Sequence, residues 1–314
     1  MKNTKLKGTF LIIVSTVAFG IMPTISQLAV KQGMNLSSIL FYRFLIATII
    51  LWIYIFLRRI PYKTTKEHFL YLMLIGILGY AGTSWALYAA YGYISGSLAT
   101  ILLFTHPSMI AIYEMFVSKT GKDIPKILSL LTATVGMVFV VWDKNMQLNM
   151  SGVFLSLLAA ICYSFYALGL GERRTKQMHS IVVTGYVLFF ATFTYFIKLM
   201  IQKNVFLPNT TLGWFHIFAL AIFCTVVATI TFCKGVQLIG PSTAVIISTF
   251  EPVFACVAGF FIVGDKLTSS IITGGILIVS AIFILQIPNQ AFRNVLGFEN
   301  TWTRYKRLES KRHS

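Results

Sequence analysis

Two dipeptides place ionisable side chains next to prolines inside long apolar runs: His106-Pro107 and Glu251-Pro252. A titratable group in such a run is costly in a membrane, so it usually faces a protein interior or a water-filled path. Histidine titrates near neutral pH, and a carboxyl can also bind and release a proton, so the pair could couple solute movement to protons. Each proline removes a backbone hydrogen bond and crowds the carbonyl four residues earlier, at Leu103 and Ser248, which predicts helix breaks. Pro23 is a third candidate break. Broken helix at membrane depth is tolerated where it is buried in protein or lines a cavity. A plainer reading stays open, in which the prolines only shape their helices and His106 and Glu251 hydrogen-bond neighbouring helices.

Arg43 also lies within an apolar run. Guanidinium pairs bidentately with carboxylate or phosphate, so one reading is contact with an anionic substrate group. The other is a bond to helix-end carbonyls, or a side chain that snorkels outward. Aromatic residues recur at helical spacing: Ala81, Trp85, Tyr88 and Gly92 on one stretch, Tyr163 and Tyr166 on another, and Phe19 on the first. With Thr225, Thr229 and Phe232 they suggest an apolar, aromatic cavity with a few hydroxyls. Its expected substrate contacts are Phe19, Trp85, Tyr88, His106, Tyr163, Tyr166 and Thr229. The alternative for these residues is packing or lipid contact. Glu114 reads as half of a solvated pair with Lys119. No Gly-x-Ser-x-Gly, Walker loop or His-Glu-x-x-His occurs, and the four cysteines lack metal spacing. No catalytic residue, cofactor, metal site or disulfide is expected.

The elements that must hold these groups are membrane helices. The 314 residues are 57% hydrophobic and 11% charged, where a soluble domain carries about a quarter charged residues. Ten apolar runs have lengths near the ~20 residues needed to cross a bilayer core: 8–28, 38–57, 69–91, 98–117, 127–142, 152–170, 182–201, 212–232, 243–263 and 268–285. The first run is too long and too rich in Ser, Thr and Pro for a signal-peptide core.

The second half repeats the first. Gly8 to Phe19 reads against Gly152 to Tyr163 at a constant offset of 144 (152 − 8 and 163 − 19). Ser97 to Pro107 reads against Ser242 to Pro252 at 145 (252 − 107). Duplication in an apolar chain marks carriers built from two repeats with a site between them. The expected fold is all-α: ten transmembrane helices as two five-helix repeats, residues 1–145 and 146–288, followed by a basic tail, 289–314. Five is odd, so the repeats must enter the membrane from opposite faces.

Charge supports that arrangement. Of 26 Lys and Arg residues, Lys31, Lys144, Lys198, Lys203 and Lys266 fall on one side, Arg43 lies within a helix, and the other 20 fall on the opposite side. The positive-inside rule makes that second side cytoplasmic, with both termini there. The formal charge of +17 is therefore read as membrane orientation and not as nucleic-acid binding. The tail interleaves Phe292, Leu296, Trp302 and Tyr305 with basic residues. It reads either as a helix lying on anionic inner-leaflet lipid or as a disordered segment.

With these features the chain resembles EamA-type carriers of the drug/metabolite transporter superfamily, over nearly all of residues 8–286. The resemblance is carried by Phe41-Tyr-Arg-Phe-Leu45, Ser97 to Pro107, Gly240-Pro-Ser-Thr-Ala244, Glu251-Pro252 and Gly264-Asp-Lys-Leu-Thr268. The last has Asp265 where the family usually has Glu, and Gly121-Lys-Asp-Ile-Pro125 is a poor first-half counterpart. The resemblance implies a ten-helix inverted repeat in the cell membrane that moves small metabolites, often outward. It implies a cavity lined by helices one, three, four, six, eight and nine. It makes Glu251 family-typical and His106 the better specificity candidate. The functional expectation is a secondary transporter of an amino acid or related polar or amphipathic solute, with proton coupling as an option. The competing expectation is an integral membrane enzyme or accessory protein acting on lipid-linked substrates.

Overall fold

The structure is a computed structural model that describes residues 2–94, 96–118, 124–142, 149–202, 207–208, 210–264 and 268–287. Among these residues there is no strand. Seven helices are long and apolar enough to span a membrane: α1 (Asn3–Lys31), α2 (Leu36–Leu57), α3 (Lys66–Ala90), α6 (Met150–Gly171), α7 (Ser180–Ile201), α8 (Thr211–Ile239) and α9 (Pro241–Ile262). Three shorter apolar helices complete the set: α4 (Leu98–Glu114), α5 (Ile124–Val140) and α10 (Ser269–Leu285). The tail, Asp265, and Lys119 to Asp123 lie outside the described residues.

Local chemistry fixes the helix ends. Asn35, Thr65, Asn149, Thr210 and Thr268 each cap a helix, accepting a backbone N–H of the first turn through the side-chain oxygen. Gly240 separates α8 from α9 at φ +84°, a conformation closed to most L residues. Buried hydroxyls bond mainly to their own helix, as Thr16 does to the Ile12 carbonyl and Ser164 to that of Ala160. Large apolar side chains such as Phe154, Phe261 and Phe283 point outward, as lipid requires and water would not favour. The four cysteines form no disulfide.

Packing follows the sequence repeat. Helix α1 packs on α8 and α9, while its repeat mate α6 packs on α3 and α4. Helix α2 meets α7, and α5 meets α10, so these pairs are their own mates. At the α2–α7 contact the hydroxyls of Thr48 and Thr192, 144 residues apart, lie 2.9 Å from each other. Between α5 and α10, Gly136 and Gly274 bring the backbones together, and a Cβ on Gly136 would lie 2.7 Å from the Gly274 oxygen. Close approach through small residues is how membrane helices gain packing without a hydrophobic driving force. Ser129 reinforces this contact by donating to the Ala281 carbonyl at 2.6 Å.

Candidate functional site

Helices α4 and α9 are both interrupted, at Phe104–Thr105 and at Thr249–Phe250. Each resumes at the ionisable residue, His106 or Glu251. The prolines therefore occupy the first turn of the second segment, where a missing N–H leaves no partner unserved. The break falls upstream of each proline. Thr105 and Thr249 donate to the carbonyls of Leu102 and Ile246, at 2.7 and 2.6 Å, and so serve backbone oxygens on the exposed ends. Pro23 behaves differently. Helix α1 continues through it, so the break expected there is absent: one lost hydrogen bond does not outweigh the packing of a 30-residue helix.

His106 is almost fully buried, and its Nδ1 lies 2.8 Å from the Leu103 carbonyl, the oxygen that Pro107 crowds. A carbonyl only accepts, so Nδ1 carries a proton, and neutral His106 presents Nε2 as an acceptor. Nε2 is buried and has no partner. The ring packs 4.3 Å from that of Tyr163 and 5.4 Å from that of Phe104. Tyr163 is followed by Tyr166, whose ring stacks on Phe232 of α8 and lies 5.2 Å from Tyr80 of α3. Glu251 is partly buried and sits in electrostatic reach of the Tyr163 and Tyr80 hydroxyls. Helices α3, α4, α6 and α8 thus converge on one aromatic cluster that holds His106, with Glu251 of α9 in electrostatic reach of it.

The other expected contacts are less central. Phe19 and Tyr88 pack partly buried against the main core. Thr229 is fully buried, but its hydroxyl donates to the Thr225 carbonyl of its own helix. Trp85 is 46% exposed, and among the described residues no ring contact joins it to the cluster. Arg43 does not snorkel and, among the described residues, bonds no carbonyl: it is buried, with Nη1 against the Met22 sulfur and its guanidinium over the Phe44 ring. Glu114 pairs with Lys126 at 2.7 Å, and its second oxygen accepts from the Ser242 N–H at the start of α9. Sequence reading missed Tyr80, Phe44 and Tyr195. Tyr80 lies in a π-helical stretch of α3, 75–81, where the wider turn displaces side chains from the face a 3.6-residue period assigns them.

The profile of the EamA-like transporter family matches this chain twice, at residues 6–142 and 150–287. The chain belongs to the EamA-like transporter family. With its apolar helices, that membership makes it a multi-pass membrane protein of a transporter family. Two relatives match across most of their length. The uncharacterized transporter YyaM of Bacillus subtilis is 23% identical over 255 residues, 78% of this chain and 83% of the relative. The uncharacterized inner membrane transporter YicL of Salmonella typhimurium is 21% identical over 291 residues, 90% of this chain and 96% of the relative. One solved crystal structure matches with a TM-score of 0.75 at 15% identity, covering 91% of this chain and 97% of the other, which establishes the shared fold.

Proposed function

We propose that this EamA-family protein is a secondary carrier that moves a small metabolite, an amino acid or related polar or amphipathic solute, out across the cytoplasmic membrane. In this reading all ten helices span, residues 1–145 and 146–288 form inverted repeats, and the site alternates between the two sides. The twofold family match and the exchange of packing partners between halves support that architecture. The aromatic cluster binds the solute through Tyr163, Tyr166 and neighbouring rings.

The observation that carries the reading is His106. Its ring completes a helix break, touches Tyr163, and leaves a buried nitrogen free to accept. In this reading His106, with Glu251, takes up a proton when the site opens to one side and releases it when the site opens to the other. In proteoliposomes loaded with radiolabelled L-amino acids, an imposed pH gradient drives uphill movement by the wild type. His106→Gln keeps a donor for the Leu103 carbonyl but does not titrate, so it loses uphill movement while downhill exchange persists. A wild type indifferent to the gradient ends the coupling proposal, and no exchange of any amino acid ends this substrate range.

A further inference from the structure

We infer that Arg43, with the hydroxyls of Tyr80 and Tyr195, holds an anionic group of the transported solute, and that this group is a carboxylate. The inference deepens the carrier reading and rests on it. Arg43 is the eighth residue of α2 and only 2% exposed. A guanidinium is always charged, and a buried charge lacking a counter-ion is strongly unfavourable. Its neighbours do not neutralise it. The Met22 sulfur is a weak acceptor, and the Phe44 ring offers its face at 4.5 Å. Nε has no hydrogen-bond partner, and the ion pair found among the described residues joins Lys126 to Glu114 instead.

The surroundings are rich in donors. The rings of Tyr80 and Tyr195 each lie 5.5 Å from that of Phe44, on which the guanidinium rests. Both hydroxyls are buried and within electrostatic reach of Arg43, and that of Tyr80 has no hydrogen-bond partner among the described residues. Ser84 neighbours the Tyr195 hydroxyl but donates its own proton to the Tyr80 carbonyl at 3.2 Å. Lys198 sits over the Tyr195 ring at 5.6 Å, adding positive potential. Glu251 is in electrostatic reach of Tyr80, and among the described residues it forms no ion pair with Arg43. A guanidinium and two phenols from three helices of both halves form an anion cradle, since charge-assisted hydrogen bonds are the strong ones. One buried cation among neutral phenols matches a single negative charge. Tyr80 also packs on Tyr166, so the cradle adjoins the aromatic cluster that would hold the rest of the solute.

Acid and amide isosteres test this directly. The probes are phenylacetate and hydrocinnamate, their primary amides, and inorganic phosphate, added to full-length protein in nanodiscs with thermal unfolding as the readout. The acids should stabilise the wild type at concentrations about tenfold below the amides, the scale of a charged hydrogen-bonded contact. Arg43→Gln should erase the difference. Should that variant fail to fold, Tyr80→Phe/Tyr195→Phe keeps both rings and should still weaken the acids selectively. Equal effects of acid and amide, no effect of either acid, an unchanged double variant, or stronger stabilisation by phosphate would each overturn the assignment. Flux of labelled hydrocinnamate in proteoliposomes separates the two readings. Selective binding without flux sinks the carrier and spares the cradle, whereas equal flux of acid and amide does the reverse.

Discussion

The Tyr163 ring touches His106 and lies in electrostatic reach of Glu251, so it relates the two titratable groups. Removing it should uncouple them. Tyr163→Ala should weaken solute binding at least tenfold, because base values for lost aromatic burial run to a few kcal/mol, while Tyr163→Phe should retain most of it. Titration calorimetry on purified variants distinguishes these outcomes, and wild-type affinity in Tyr163→Ala would mark the ring as packing. At this scale the sequence was informative about identity and poor on contact. His106, Tyr163 and Tyr166 were legible because polar or aromatic residues in an apolar chain stand out. Arg43 was legible as an anomaly, but its neighbours were not, since Phe44, Tyr80 and Tyr195 come from three helices whose faces no spacing rule relates.

The elements make their own demands. The α1–α9 contact is set by Gly20, where a Cβ would lie 2.6 Å from Phe254 Cβ and 2.8 Å from the Glu251 carbonyl oxygen. Gly20→Ala should therefore push α1 away from the second break, lowering unfolding temperature by an overpacking cost of about 1–3 kcal/mol. At α5–α10, Gly136→Leu should do more damage, because a larger side chain must fit where even a Cβ would lie 2.7 Å from the Gly274 oxygen. Monodispersity in size-exclusion chromatography reports both. The end of the bundle that holds Glu114 offers a third test. Glu114 ties α5, through Lys126, to the first turn of α9, through Ser242. Glu114→Ala should speed hydrogen exchange at the start of α9, and unchanged exchange would show the tie to be incidental. Helix existence was readable from apolar run length, and the breaks from proline. The position of each break was shifted upstream, because proline suits a first helical turn better than a helix interior. The unbroken α1 shows that proline alone does not decide.

For the whole molecule, the charge partition gives the sharpest expectation. A cysteine placed at Lys31, the last residue of α1, should react with an impermeant thiol reagent in intact cells, and one placed at Lys63, between α2 and α3, should not. The opposite pattern would invert every assignment of side. The all-helical fold was legible because lipid leaves few solutions for a chain this apolar. The duplication was legible because offsets of 144 and 145 survive in the residues. The pairing of helices was not, since no residue in α1 announces α8 as its neighbour.

The Thr48–Thr192 contact has a meaning that follows from where it lies. Each threonine is the other's counterpart, so exchanging the shapes of the two halves maps the contact onto itself. The α1–α9 seat at Gly20 differs: its counterpart puts Ser164 against Met109, another pair of side chains altogether. In the proposed alternating carrier, an asymmetric seat would tilt the balance between the two poses, because it would be worth different amounts in each. A self-mated contact is worth the same in both and acts as a fulcrum. Valine at both Thr48 and Thr192 should then cost stability, by about 0.6 kcal/mol for a membrane hydrogen bond, yet leave the ratio of the two poses untouched.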